Sequence, residues 1–172
     1  MHEEELVIAA QGGDNEAFYK LISLYSKNLY KIAYCYLENE QDALEAVQET
    51  TCRAYVNFKK VKQYQYFKTW ITKILINYCI DELKRRKKLT EVNGDIEIDG
   101  NANNIDNLDL ELALNKLDSK YKEVIVLKYF QDMTTQDIAK VLERPEGTIK
   151  TWLHRGLSSL RNYFKKDGDL NV

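Results

Sequence analysis

One segment governs what this chain can become. Along most of its length apolar residues recur at spacings of three and four, the mark of helices with one buried face. The recurrence stops once, through Glu91-Val92-Asn93-Gly94-Asp95-Ile96-Glu97-Ile98-Asp99-Gly100-Asn101-Ala102-Asn103-Asn104. Asn, Asp and Gly favour turns and solvent over helix, and so few apolar side chains cannot build a core. Residues 89–107 therefore read as a flexible acidic linker between two helical blocks. A long loop inside one domain is the alternative, but structureless loops of this length are uncommon in compact domains. Extended, the segment reaches ~65 Å; as a coil it spans ~25 Å.

Charge follows the same division. Residues 1–90 carry a net +2, residues 91–111 a net −7 with no Lys or Arg, and residues 112–172 a net +3. The overall −2 conceals two mildly basic blocks around one acidic stretch.

Both blocks read as helix throughout. Expected helices are Glu3–Gln11, Asn15–Leu37 capped by Asp14, Gln41–Phe58, Phe67–Lys87, Leu108–Leu117, Ser119–Phe130, Thr135–Leu142 and Pro145–Phe164. No segment alternates at period two for long, and one proline with seven glycines is too few breakers for a turn-rich β fold. The expectation is an all-α chain of two small domains, residues 1–88 and 108–172, joined by 89–107.

Several classes of function fall away. No run of eighteen apolar residues exists, and Met1-His2-Glu3-Glu4-Glu5 lacks the basic start of a signal peptide. Cys35, Cys52 and Cys79 are too scattered for a disulfide framework, and His2 and His154 are too few for a zinc site. A reducing, cytoplasmic setting follows. No His-centred constellation supports catalysis, so the chain reads as a non-enzyme with no metal, cofactor or small-molecule substrate.

The C-terminal block has the marks of a helix-turn-helix. Thr134 with Asp137 resembles a capping box, Ala139 is small enough for a close helix crossing, and Glu143-Arg144-Pro145 makes a turn. The next helix has a core stripe of Ile149, Leu153, Leu157, Leu160 and Phe164, opposite Thr148, Thr151, Trp152, Arg155 and Ser159. Hydroxyls and Arg suit base edges and phosphates of a major groove. A plain helical hairpin would explain the stripe but not the opposite face. Trp152 could tuck against the core or meet thymine methyls. Such turns often carry Gly where Glu143 stands; a left-handed backbone there costs about 1 kcal/mol, so a slightly different turn is expected.

The N-terminal block carries two further surfaces. Lys59-Lys60-Val61-Lys62-Gln63-Tyr64-Gln65-Tyr66-Phe67-Lys68-Thr69-Trp70 interleaves cations and aromatics, a mixture suited to unpaired nucleic acid. Packing is the competing reading for Phe67 and Trp70; exposure is expected of Tyr64 and Tyr66. Lys73, Asn77, Asp81, Lys84 and Lys88 recur on one face of the following helix. Lys84-Arg85-Arg86-Lys87-Lys88 closes it as a candidate phosphate patch, with Asp81 placed to hold Arg85 at i,i+4. Asp42, Glu45, Gln48, Glu49 and Arg53 form a mostly acidic stripe that suits a protein partner, if it is more than a solvated face.

Taken in order, three stretches resemble the extracytoplasmic-function (ECF) sigma factors of the bacterial sigma-70 family. Asp42-Ala-Leu-Glu-Ala-Val-Gln-Glu-Thr-Thr-Cys-Arg-Ala-Tyr55 is similar to the family's polymerase-binding helix. Phe67-Lys-Thr-Trp-Ile-Thr-Lys-Ile-Leu-Ile-Asn-Tyr-Cys-Ile-Asp-Glu-Leu-Lys-Arg-Arg86 is similar to its −10 recognition helix. Thr135 to Leu157 is similar to its −35-reading helix-turn-helix. The resemblance implies a transcription initiation factor in the cytoplasm that binds core RNA polymerase at the β′ clamp helices and the β flap and directs it to promoter DNA. It places Asp42, Glu45, Gln48, Glu49 and Arg53 on polymerase. It gives the −10 element to Lys60, Lys62, Tyr64, Tyr66, Trp70, Lys73, Asn77, Lys84 and Arg85. Glu146, Thr148, Lys150, Thr151, Trp152 and Arg155 would face the −35 element, with Trp152 where the family commonly has Arg. It also implies an anti-sigma factor, often membrane-anchored in this family.

Free-standing operator binding would leave the 41–58 stripe unused. An RNA-binding adaptor or a small nuclease fits still fewer of these features.

Overall fold

The computed structural model describes residues 2–94 and 108–169. Every regular element among them is helical, and the helices fall into two compact units. The N-terminal unit comprises α1 (Glu3–Gln11), α2 (Asn15–Leu37), α3 (Glu40–Asn57) and α4 (Phe67–Asn93). Two single 3₁₀ turns, Phe58–Lys60 and Tyr64–Tyr66, join α3 to α4.

Capping chemistry sets several of the helix starts. The Asp14 carboxylate accepts from the backbone N–H groups of Glu16 and Ala17 at 2.9 and 3.1 Å. Asn39 caps α3 by accepting from Asp42 N–H at 3.0 Å. Gly13, at φ 98°, makes the turn from α1 into α2 that a side chain would strain. α2 is the centre of the unit and packs on α1, α3 and α4. Leu21, Leu29, Ile32, Phe67, Ile71, Leu75 and Ile76 are buried essentially completely.

α4 runs past the expected end near Lys87 to Asn93. Residues 89–93, which the sequence assigned to the linker, are thus helical. No Gly or Pro occurs before Gly94, whose φ of 76° ends the helix. Residues 95–107, the rest of the expected linker, lie outside the described residues.

The C-terminal unit comprises α5 (Leu108–Asn115), α6 (Ser119–Phe130), α7 (Thr135–Leu142) and α8 (Glu146–Asp169). Its core includes Leu114, Val124, Leu127, Met133, Ile138, Val141, Ile149 and Leu153. α6 and α8 come close at Gly156, where an added Cβ would stand 2.7 Å from Ile125 Cδ1 and 3.1 Å from Tyr121 Cβ. α8 extends beyond the expected Phe164, since no breaker follows until Gly168. Of its expected core stripe, Phe164 is 42% exposed.

Candidate nucleic-acid and polymerase interfaces

The aromatic loop is anchored at both ends. Phe58 and Phe67 are buried and stack edge-on at 5.7 Å between ring centroids. Phe18 meets Phe58 at 5.2 Å, and Tyr25 meets Phe67 at 5.3 Å. Such edge-to-face pairs each add about 0.5–1.5 kcal/mol beyond burial. Between the anchors, Val61 turns inward and its carbonyl accepts from the Gln11 side-chain amide of α1. Lys60, Lys62 and Tyr66 are exposed and Tyr64 is half-buried. Trp70 is half-buried against Phe58 and Phe67, so it packs and still presents an edge. Packing of Phe67 and Trp70 and exposure of Tyr66 are as expected, whereas Tyr64 is more buried than expected.

α4 continues the same surface. Trp70, Lys73, Asn77 and Lys84 lie within about 60° of one another round the helix axis. Asn77 and Lys84 are exposed, and Lys73 is half-buried. Arg85 does not join them: it stands about 100° round the axis from Lys84. Its guanidinium is held by Glu82, Nε to Oε2 at 2.9 Å and Nη2 to Oε1 at 2.6 Å. Glu82, not the expected Asp81, is the carboxylate that fixes Arg85, because i,i+3 brings it directly over that side chain. The Arg85 and Arg86 hydrogen bonds hold the Glu82 carboxyl below its ordinary range, Arg85 being the larger cause.

The run of five cations is consequently not one patch. Arg86 turns inward and is only 17% exposed. It reaches Asp42 of α3 at 2.7 Å and Glu82 at 3.2 Å. Lys84, Lys87 and Lys88 remain exposed.

The acidic stripe on α3 is likewise sorted by the fold. Glu45 and Gln48 are exposed. Glu49 pairs with Arg53 at 2.8 Å, and the Arg53 guanidinium lies over the Tyr78 ring of α4, 5.3 Å from its centroid. Burial first, then the nearby carboxylates of Glu45, Glu82 and Glu49, raise the Tyr78 hydroxyl above its ordinary pKa. Asp42 faces α4 through Arg86 and is about a third exposed. Sequence reasoning missed Arg86 and Glu82; the only signal was their i,i+4 spacing.

In the C-terminal unit Thr134 caps α7 as expected, but the reciprocal half of the capping box does not form, because the shorter Asp137 side chain bonds the Thr134 hydroxyl and not its backbone N–H. Thr134 Oγ1 accepts from Asp137 N–H at 3.1 Å and donates to its Oδ2 at 2.9 Å. The turn keeps the left-handed geometry that Glu143 was expected to avoid: φ is 54° and ψ 47°, with Arg144 N–H donating to Ala139 C=O at 3.0 Å. Closing that hydrogen bond requires the left-handed residue whatever its side chain.

The six residues expected at the −35 element divide. Thr148, Thr151, Trp152 and Arg155 share a face of α8 within about 100°. Thr151 and Arg155 are exposed, while Thr148 and Trp152 are half-buried. Glu146 and Lys150 lie on the other side of the helix, about 150–170° round the axis from the middle of that face. The Glu146 carboxylate accepts from Thr135 Oγ1 at 2.8 Å and pairs with Lys150 at 3.0 Å. These contacts, Thr135 first, lower its pKa and lock the start of α8 to the start of α7. Beneath the turn, burial pushes the Glu123 carboxyl up to about 7, partly opposed by Arg144. Of the three cysteines, Cys79 is buried, which raises its thiol to about 12, and Cys52 is exposed.

Among the described residues no helix is long and apolar enough to cross a membrane. Sigma-70 region 2 matches residues 21–89, and sigma-70 region 4 matches residues 107–160. The chain is 33% identical over 171 residues to the ECF RNA polymerase sigma factor SigW of Bacillus subtilis, covering 89% of this chain and 91% of SigW. It is 32% identical over 149 residues to the RNA polymerase sigma factor SigV of the same organism, covering 85% of this chain and 90% of SigV. In fold it is similar to the sigma factor RpoE of Bartonella quintana, solved in complex with the anti-sigma factor NepR. The TM-score is 0.77 at 22% identity, over 86% of this chain and 96% of that one. It is also similar to CnrH, solved with the cytosolic domain of CnrY, with a TM-score of 0.72 at 22% identity over 96% and 98% of the two chains. Both sigma-70 regions in order, with relatives a third identical over nearly their whole length, establish that the chain belongs to the ECF sigma factors of the sigma-70 family, the transcription initiation factors that direct core RNA polymerase to promoters.

Proposed function

We propose that this sigma factor docks on the β′ clamp helices of core polymerase through the open side of α3: Glu45, Gln48, Glu49 and Arg53, with Asp42 at the edge. The opened −10 strand is taken by the loop over residues 59–66 and by the Trp70, Lys73, Asn77 and Lys84 face of α4. Lys60 and Lys62 meet phosphate, and Tyr64 and Tyr66 stack on a flipped base. Unstacking costs a few kcal/mol per base, and capture in such a pocket offsets it. Arg85, held by Glu82, stands at the edge of this surface. Thr148, Thr151, Trp152 and Arg155 enter the −35 major groove. Lys150 meets flanking phosphate, and Glu146 holds α8 in place while the C-terminal unit leans on the β flap. The acidic segment before α5 joins the two readers. The chain has no reaction of its own, and it works in the cytoplasm with polymerase.

The observation that carries this reading is the aromatic loop: clamped at Phe58 and Phe67, it holds Tyr66 and its lysines in solvent beside Trp70. RpoE is solved in complex with the anti-sigma factor NepR, and CnrH with the cytosolic domain of CnrY. We extend such control to this chain, with an anti-sigma factor covering the α3 stripe or the α8 face.

Run-off transcription with core polymerase and a library of promoter fragments tests the reading. Start sites that depend on the protein, and that fade when Tyr66 and Lys62 are replaced by Ala, support it. Duplex binding without added initiation would turn the reading to a free-standing operator binder.

A further inference from the structure

The seam between α3 and α4 has an unusual makeup. The buried side of α3, which it shares between α2 and α4, consists of the small residues Ala43, Ala46, Thr50 and Ala54. Small side chains let two helices approach closely, but they offer no large knob to key into a facing groove and so resist sliding only weakly. Register along this antiparallel seam falls to charged groups at its two ends. At one end Arg86 bridges Asp42 on α3 and Glu82 on α4. At the other, Arg53 on α3 covers the Tyr78 ring on α4. The two ties are about 16 Å apart along α3, so together they fix both the offset and the angle of the helices.

Arg86 is suited to this and to little else. Its planar fork places two separate nitrogens on two carboxylates, where a lysine would have to reach both from one ammonium nitrogen. Glu82 also takes both bonds from Arg85, so two carboxylates and two guanidiniums form a locally neutral cluster. Arg86 is 17% exposed and committed to carboxylates, so a DNA phosphate would have to displace them to reach it.

We infer that Arg86 is a positioning residue for promoter opening: by bridging Asp42 and Glu82 it fixes the strand-capturing face of α4 relative to the polymerase-docking helix, without itself touching polymerase or DNA. This rests on the functional reading above, in which α3 meets polymerase and α4 meets the opened strand. A strand-binding face displaced by about 1 Å loses much of its transition-state advantage, on the order of a hundredfold in comparable positioning defects.

The test uses the full chain, cognate core polymerase and a promoter selected with the wild-type protein. That promoter is supplied once as intact duplex and once with its −10 region pre-opened by mismatches. Arg86→Met keeps the length of the side chain without its charge, and Arg86→Lys keeps the charge without the fork. All assays run at a temperature where circular dichroism shows each variant folded. Arg86→Met is expected to keep core affinity within about threefold while losing about tenfold or more of duplex run-off product, with most of that loss recovered on the pre-opened template. Arg86→Lys should fall between Arg86→Met and wild type. Should Arg86→Met be too unstable to assay, Arg86→Lys must still lose product on duplex more than on the pre-opened template. Undiminished duplex transcription, or a fall in core affinity as large as the fall in transcription, would overturn the inference. A wild-type protein that neither binds core nor initiates would overturn the functional reading itself, and the inference with it.

Discussion

Glu143 holds a conformation that L-residues avoid, and it does so at the turn of the helix-turn-helix. Replacing it with glycine should stabilise the C-terminal unit by up to about 0.5 kcal/mol, the left-handed strain less the extra freedom glycine gains when unfolded. The chain has one tryptophan in each unit, so urea unfolding followed by Trp152 fluorescence in a Trp70→Phe background reads this directly. Glu123 makes a second prediction. Its carboxyl ionises near 4.5 when the chain is unfolded but holds its proton to about 7 when folded. Between those values the unfolded state binds fewer protons, so this group's contribution to stability falls as pH rises from about 4.5 to about 7 and is level above. Glu123→Gln lacks that fall. The difference between variant and wild type should grow across that window in the variant's favour, reaching at most about 3 kcal/mol at pH 8. A difference constant with pH would show that the carboxyl ionises normally in the fold.

At the scale of elements, glycine has opposite meanings at two places on α8. An alanine Cβ at Gly156 would collide with Ile125 and Tyr121 of α6, whereas at Gly147 it meets open space. Gly156→Ala should destabilise the C-terminal unit by about 1 kcal/mol or more, overpacking outweighing better helix propensity. Gly147→Ala should be neutral or stabilising by up to about 1 kcal/mol. Thermal melts of both variants check the signs. The same two residues mark what a sequence can disclose. Asp14 and Thr134 announce helix starts because a cap and its target amides lie within three positions. The helix over 135–142 was legible for that local reason, and the helix over 119–130, which has no side-chain cap, from the period of its apolar residues. Gly156 is informative only once α6 is known to cross there. The Asp42–Arg86 bridge joins residues far apart in the chain, so nothing local separates Arg86 from the exposed lysines around it. Among the candidate site residues, the exposure of Tyr66 and the polar face of α8 could be read from polarity and period. The fate of Asp42, Arg85 and Glu146 could not, because each is decided by one partner on the same helix or its neighbour.

For the whole molecule the governing quantity is how charge is distributed rather than its sum. Two mildly basic units flank a segment of net −7, which leaves the chain at −2. A protein of that charge gains little from counterion release and should bind duplex DNA poorly until polymerase supplies the remaining contacts. Replacing Asp95, Glu97, Asp99 and Asp106 with their amides should raise duplex binding in the absence of polymerase several-fold at low salt, with a steeper loss as salt increases. Fluorescence anisotropy with a labelled duplex across a salt series measures both. Binding unchanged at every salt concentration would mean that the acidic segment does not screen the readers.

The two clamped ends of the aromatic loop carry a consequence for how such a protein can diversify. Phe58 and Phe67 sit in one cluster with Phe18, Tyr25 and Trp70, and Val61 is pinned by Gln11. Residues 62–66 hang between these fixed points and contribute no fully buried side chain. They form an exchangeable cassette on a fixed frame: under the function proposed above, new base preferences can be sampled there by swapping five residues without disturbing the fold that holds them.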